Sequence, residues 1–275
     1  MIVHLVDGTY ELFRHYYGLK RAPEAARRSP FSAAAGVLHT LLEMIEKGAT
    51  HVAVATDHVI ESFRNRLWPG YKTSAGVERE LLAQFHPLED ALSAMGVVVF
   101  PMIELEADDA LASAAAIAAR DPRVEKVCIW TPDKDLAQCV RGDRVVQADR
   151  RKNRIRDAAG VREKFGVDPE FIPDYLALVG DAADGYPGLA GIGPVGAARL
   201  IHRHGPIESF PDEVLGERRG LAVLFKKLAT LRDDAPLYAD VEALRWRGPT
   251  AGFASFSDRL ADPRVLERSR RAPVA

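Results

Sequence analysis

At 275 residues and 47% hydrophobic composition, the chain can bury one large core, or a core with a smaller appendage. Its 37 basic and 39 acidic residues leave a formal net charge of -2, which excludes bulk basicity as a nucleic-acid signal and makes segregated charge decisive. The opening apolar run has five residues and no basic flank, too short for a signal peptide or membrane span, and Cys128 and Cys139 lack metal-type spacing, so a reducing, cytoplasmic setting with inert thiols is expected.

In chain order, Val- and Ile-rich runs at 2–6, 51–55, 97–100 and 124–130 predict strands, and segments of helical period at 31–47, 77–95 and 106–120 predict helices between them. That alternation implies an α/β fold with a parallel sheet covered on both faces. The stretch RGDRVVQADRRKNRIRD, residues 141–157, is rich in arginine and reads equally as a solvated hairpin or as a track for a duplex backbone. After about residue 157 the strand-like runs stop, and VREKFG, DPEFIPDYLALVG, GPVGAARLIHRHG and ERRGLAVLFKKLATL predict a helical half punctuated by Pro and Gly. The end, RSRRAPVA, reads as a frayed basic tail.

The placement of acids carries the chemistry. Asp7 follows the first predicted strand, Asp57 the second, and Asp133 and Asp135 the strand ending at Trp130, while Glu106, Asp108 and Asp109 open a helix. Singly, each has a plain reason, because helix starts and turns favour acids. Together they point to one crevice, since the carboxyl ends of parallel strands line a common edge. Carboxylates so crowded raise one another's pKa, and divalent cations relieve them. A set of oxygens without His or Cys suits Mg²⁺ or Mn²⁺ better than zinc. Two such ions could flank a scissile phosphate, one activating water and one stabilising the leaving oxygen.

The stretch LVGDAADGYPGLAGIGPVGAARLI, residues 178–201, sets Asp181 and Asp184 before a glycine-studded turn and a helix. The acids would join the metal site, and the turn with the helix start would offer backbone N–H groups to a phosphate some distance away. Gly191, Ile192 and Gly193, followed by Ala197 and Ala198, match a helix-hairpin-helix that lets backbone approach a duplex closely. Gly188, Val195 and Gly196 complete the expected DNA-contacting turn, with Arg150, Arg151 and Lys152 as further backbone contacts.

The motifs LVDGTYELFRHYYG, ATDHVIESFRNRLWPGYK, ELEADDALA, TPDKDLAQCV and LVGDAADGYPGLAGIGPVGAARL follow one another in the order and spacing of a known family. From residue 2 to about 237 the chain resembles the bacterial 5′-nuclease domain of DNA polymerase I and its stand-alone relatives, in the flap endonuclease superfamily. The resemblance implies a PIN-like catalytic core at 1–157 with an arch at about 64–95, a helix-hairpin-helix (H3TH) region at 158–240, and an extension at 241–275 that packs on the core and ends in the basic tail. It implies that Asp7, Asp57, Glu106 and Asp108 support a first metal site, that Asp133, Asp135 and Asp184 build a second with help from Asp108, and that Asp109 and Asp181 act at one remove. Lys72 would reach the scissile phosphate and Arg64 would bind phosphate nearby. The pattern is broken at Ala75, where the family usually has an arginine, at Gly185 in place of asparagine, and at Pro132 in place of glycine; Arg79 could stand in for the missing arginine if the arch is helical between it and Lys72.

The function implied is cleavage of DNA near 5′ ends, as a 5′-3′ exonuclease and flap endonuclease that leaves a 5′-phosphate and a 3′-hydroxyl, in primer and flap removal and repair. The implied ions are two or more Mg²⁺ or Mn²⁺, with K⁺ at the hairpin. The implied partner is DNA with a 5′ flap, a nick or a free, RNA-primed 5′ end, bound by a nucleoid-associated monomer that needs no membrane. No polymerase segment follows, so a free-standing form is expected. Two rival readings are a ribonuclease on a similar acid-lined sheet, opposed by the hairpin at 188–193, and a catalytically weak structure-specific DNA-binding protein, opposed by the full set of acids.

Overall fold

The computed structural model describes residues 1–21 and 29–274. Its sheet has six strands in the order β3-β2-β1-β4-β5-β6, namely β1 (Ile2–Asp7), β2 (His51–Asp57), β3 (Val98–Met102), β4 (Lys126–Trp130), β5 (Val145–Asp149) and β6 (Arg154–Arg156). All neighbours pair in parallel except β6, which turns back antiparallel on β5. The chain leaves β1 toward β2 on one side and returns to β4 on the other, so the strand order reverses between β1 and β4, where open α/β sheets open a crevice.

The four expected strands are present, each within a few residues of its predicted ends. The arginine-rich stretch departs from its reading as a solvated hairpin, because it supplies two strands of the main sheet. All five residues of β5 are buried, and Arg156 at the end of β6 is buried against Gln147. The core content of this hairpin, two valines and an alanine, is hidden in the sequence by the arginines around it.

One face of the sheet is covered by α1 (Gly8–Lys20), α2 (Ser32–Glu46) and, past a short α3 (Arg79–Leu82), α4 (Phe85–Ala94). Val6, Val52 and Val54 of the sheet meet Leu12, Leu38, Leu42 and Leu88 of these helices. The other face is covered by α5 (Ala107–Arg120), whose buried alanines lie against Leu5, Ala53 and Ile129. The single helix predicted over 77–95 is broken in two at Ala83 and Gln84. Pro87 has no N–H to give the Ala83 carbonyl, so the helix must restart there, with the proline in its first turn.

The second half forms α6 (Ala158–Phe165), α7 (Ile172–Val179), α8 (Pro194–His204), α9 (Asp212–Leu215) and α10 (Arg219–Ala229) around a core of their own. Tyr71, from the segment after β2, is buried in that core, so the two halves meet beside the sheet edge. The chain then recrosses the first half: Leu231, Val241 and Leu244 join the α5 core, and the Trp246 indole donates to the Met95 carbonyl at 2.9 Å. It ends in α11 (Phe253–Leu260) and α12 (Pro263–Arg271). The expected frayed tail is instead the last turn of α12, since Val265, Ser269 and Ala272 are buried and Arg268 forms two bonds to Glu46. Ala275 lies outside the described residues. Among the described residues no helix is long and apolar enough to cross a membrane.

Candidate active site

The acids gather at the carboxyl edge of the sheet because each sits where a strand or helix stops. Asp7 ends β1 and caps α1, its Oδ1 accepting from the Tyr10 amide at 2.8 Å. Asp57 ends β2; its Oδ1 accepts from the Ala107 amide at 2.9 Å, which ties it to the start of α5. Thr131, one residue past β4, donates from Oγ1 to Asp7 Oδ2 at 2.9 Å across the reversal point. Asp133 is exposed and accepts from the Asp135 amide at 2.9 Å. From the helical half, Asp181 and Asp184 reach the same place, where carboxylate oxygens of Asp135, Asp181 and Asp184 lie within 4.8 Å of one another.

The electrostatics are those of a site short of positive charge. Burial, reinforced by Asp57 and Asp133, pushes Asp7 up to about 7. Burial together with Asp181 and Glu106 outweighs the Lys72 ammonium and pushes Asp184 up to about 6. Burial also raises Asp57, and it lifts Asp108 and Asp135 well above the usual carboxylate range, with Asp133 the next contributor to both. Glu106 is the exception. Burial opposes its charge, but Lys72 and Arg64 overcome this and hold it at about 2.

Lys72 is a cation that reaches into the cluster. Its Nζ lies 2.8 Å from Glu106 Oε2 and 2.9 Å from Asp184 Oδ1. Burial lowers the Lys72 pKa, and these two carboxylates more than reverse the effect, leaving it well above an ordinary lysine. Its position is set by the backbone on both sides, for the Lys72 amide donates to the Asp184 carbonyl at 2.9 Å and the Trp68 indole donates to the Gly185 carbonyl at 3.0 Å. Gly185 has φ +84°, and a Cβ there would lie 2.0 Å from the Gly70 carbonyl oxygen, so this close crossing requires a glycine.

Several expected residues take other parts. Arg64 is 1% exposed and all its N–H groups are used, on Asp109, Glu106 and the Leu228 and Thr230 carbonyls. It has no N–H left for a phosphate and instead fixes the start of α5. Asp109, fully buried, receives Arg64 on both oxygens and the amides of Glu106 and Arg232 besides, which leaves it no free lone pair aimed at the cluster. Arg79 is exposed at the first position of α3, and residues 72–78 are not helical, so it does not share a helix face with Lys72. Gly188 is buried where the chain passes Gly180, its Cβ position 2.3 Å from the Gly180 nitrogen; it shapes the turn and faces no solvent. Gly191, Gly193 and Val195 are exposed, Val195 by 73%, with Ile192 and Gly196 half-buried beneath them. Arg150 pairs with Glu43 at 2.5 Å on the α1 and α2 side, while Arg151 and Lys152 are exposed on the β5–β6 turn.

Other contributors had weaker signals. Lys134, flanked by Asp133 and Asp135 in the sequence, pairs with Asp181 at 2.8 Å, and this spacing of alternating charge was visible. Tyr71 donates to Glu106 Oε2 at 3.3 Å, and Ser62 to Glu106 Oε1 at 2.6 Å; nothing in the sequence distinguishes them from core residues.

The arrangement fits divalent cations on its own terms. Asp135 Oδ1 and the Tyr186 hydroxyl are buried without any hydrogen-bond partner, a cost of about 1–3 kcal/mol each unless an unseen group meets them. The donors converging there are oxygens, the preference of hard ions.

Comparison with known proteins agrees with this geometry. Residues 2–166 match the model of the 5'-3' exonuclease N-terminal resolvase-like domain, and residues 167–252 that of the 5'-3' exonuclease C-terminal SAM fold. The chain is 30% identical over 260 residues to DNA polymerase I of Rhizobium leguminosarum, covering 87% of this chain and 25% of that protein. It is 28% identical over 256 residues to the 5'-3' exonuclease of Aquifex aeolicus, covering 90% of this chain and 87% of that protein. It thus spans about a quarter of the length of the Rhizobium polymerase and most of the Aquifex nuclease. In fold it is similar to the T5 5'-exonuclease solved with divalent metal ions, at TM-score 0.67 and 21% identity over 98% of this chain and 100% of that one. It is also similar to the catalytic core of Rad2 in complex with DNA substrate, at TM-score 0.59 and 17% identity over 98% of this chain and 92% of that one. With both family models matched in tandem over residues 2–252, the chain belongs to the 5'-3' exonuclease family.

Proposed function

We propose that the chain is a structure-specific 5′ nuclease that hydrolyses DNA phosphodiester bonds near 5′ ends, acting on flaps, nicks and free 5′ termini. The observation that carries this reading is the convergence of Asp7, Asp57, Asp108, Asp135 and Asp184 on one edge, all with raised pKa, around the unpartnered Asp135 Oδ1. Two Mg²⁺ or Mn²⁺ ions held by Asp7, Asp57, Glu106 and Asp108 and by Asp133, Asp135 and Asp184 would supply an activated water and stabilise the leaving oxygen.

The chain's own groups do the rest. Lys72, held by Glu106 and Asp184, offers an ammonium to the phosphoryl oxygens as negative charge develops on them. Lys134 orients Asp181 beside Asp184, and Thr131 and the Tyr10 amide fix both oxygens of Asp7. The exposed amides around Gly191 and Gly193, at the start of α8, suit a duplex phosphate away from the acids, and K⁺ would sit at that turn. Terminal nucleotides must unpair to reach the acids, at a cost on the order of a few kcal/mol. Recognition is then of backbone and shape, without base readout.

The test incubates the protein with a labelled 5′-flap duplex, a blunt duplex and a structured RNA, in Mg²⁺, Mn²⁺ or EDTA, beside Asp135→Asn. Flap cutting that needs metal and is lost in Asp135→Asn is the expected result. Cutting confined to RNA, or tight flap binding without cutting in any metal, would overturn the reading.

A further inference from the structure

Glu89 is a buried acid that no step of the reaction uses. It lies on α4 among the buried Phe85, Leu88 and Leu92, and is only 7% exposed. An apolar side chain would cover the sheet there without the cost of burying a carboxylate. Both of its oxygens are taken, and both by residues that flank Asp57: Thr56 donates from Oγ1 to Oε1 at 2.8 Å, and His58 Nδ1 lies 2.7 Å from Oε2. As a carboxylate Glu89 can only accept, which places the His58 proton on Nδ1. A third hold comes from one turn earlier on α4, where His86 donates from Nε2 to the His58 carbonyl at 3.1 Å. The two imidazole rings stack, with centroids 4.0 Å apart and planes 11° from parallel.

The alternation of the strand makes this grip act on Asp57. Val52 and Val54 of β2 pack with α1, α2 and α4, whereas Ala53 and Ala55 pack with α5. Thr56 and His58 therefore point toward α4, and Asp57 points toward α5. Glu89 holds the residues on either side of Asp57 from one face, while the Ala107 amide of α5 binds Asp57 Oδ1 at 2.9 Å from the other. The Asp57 amide is fixed as well, donating to Thr9 Oγ1 at 2.8 Å. Among the described residues Asp57 Oδ2 forms no hydrogen bond, so the one oxygen left over is the one a cation can take.

We infer that Glu89 is a positioning residue, which holds Asp57 in the geometry that binds a cation by gripping Thr56 and His58 from α4. This role rests on Asp57 being a cation ligand, as in the nuclease reading. Hydrogen bonds one shell out from a metal orient the ligands that touch it, and their loss weakens metal binding.

The test measures Mn²⁺ binding to the full chain by electron paramagnetic resonance of the free ion, with melting in EDTA alongside. Glu89→Leu keeps the packing and removes both bonds; it is expected to weaken Mn²⁺ binding on the order of 10–100-fold without lowering the melting temperature. Glu89→Gln should bind as the wild type does, because its amide oxygen can accept from His58 and its amide nitrogen can donate to the Thr56 hydroxyl. Thr56→Val removes one of the two bonds and keeps the β-branched shape that suits the strand. Its affinity should fall between those of the wild type and Glu89→Leu, and it carries the test if Glu89→Leu does not fold. In cleavage of a 5′-flap duplex, the Mn²⁺ concentration for half-maximal rate should rise in Glu89→Leu by the same factor as the binding constant, with the rate at saturating Mn²⁺ restored. Wild-type affinity in Glu89→Leu or Thr56→Val, or a loss in Glu89→Gln equal to that in Glu89→Leu, overturns the inference and leaves the nuclease reading standing. A wild-type chain that binds no Mn²⁺ sinks the nuclease reading, and this role of Glu89 with it.

Discussion

Lys72 and Arg64, eight residues apart in the sequence, show how burial divides cations that look alike. Lys72 keeps 29% of its side chain exposed while bonded to two acids, so it is both oriented and reachable. Lys72→Ala is expected to lower the turnover number on a flap substrate by about 10²–10³-fold with little change in KM, the size seen when one preorganised charge-stabilising donor is removed; single-turnover cleavage against substrate concentration checks it. Arg64 is sealed in. Arg64→Met should cost about 3–5 kcal/mol in a urea unfolding curve, because Asp109 would remain buried without its guanidinium partner. Adding Asp109→Leu should not restore wild-type stability, because the Glu106 and Arg232 amides that Asp109 accepts would then lose their partner, and a double variant as stable as the wild type would show that the Arg64 pair alone sets the cost.

At the level of elements, the crossing of 68–72 over 181–186 joins the two halves of the chain, and it turns on Gly185. Gly185→Ala puts a methyl 2.0 Å from the Gly70 carbonyl oxygen at a φ of +84°, so the two loops must part and carry Lys72 away from Asp184. The expected outcome is a loss on the order of 1–3 kcal/mol together with a fall in turnover, measured by thermal melting and by cleavage rate; Ala182→Ser, exposed in the same loop, should change neither. The turn before α8 predicts the reverse pattern. Val195→Glu, in the first turn of α8, adds a like charge where duplex phosphate would lie, so binding of a duplex should weaken most at low salt and fall less steeply as salt rises, while the melting temperature holds. These elements also show how far the sequence could be read. Asp7, Asp57 and Asp135 were legible because acids that follow strands are a local pattern that topology then converges, and Glu106 because an acid opens the helix there. The β5–β6 pair was not, since four buried apolar and polar side chains before Asp149 are outnumbered by nearby arginines. The break at Pro87 was signalled by the proline itself, and Arg64 could not be told from a surface cation because its partners come from residues 106, 109, 228 and 230.

For the whole molecule, the acid cluster sets stability against function. Asp7 has its pKa raised to about 7 by burial, from an ordinary value of 3.8, and Asp184 is raised to about 6. A carboxyl whose folded pKa is raised binds its proton more tightly in the folded state, so its contribution is fully present below the unfolded pKa near 4 and is lost as pH rises through the folded one. For Asp7 alone the loss is on the order of 4 kcal/mol once pH passes 7. Metal-free protein should therefore melt lower at pH 8 than at pH 6, and Mg²⁺ should raise the midpoint more at pH 8, by roughly 5–10 °C. Asp7→Asn removes this proton and its penalty, so in EDTA at pH 8 the variant should melt above the wild type while losing cleavage. Differential scanning calorimetry across pH in EDTA and in Mg²⁺ reads all of these. A wild type whose EDTA midpoint is flat from pH 6 to pH 8, or an Asp7→Asn variant that melts lower, would mean that the carboxylates are not held together against their own repulsion, and the case for cations among them would lose its physical basis.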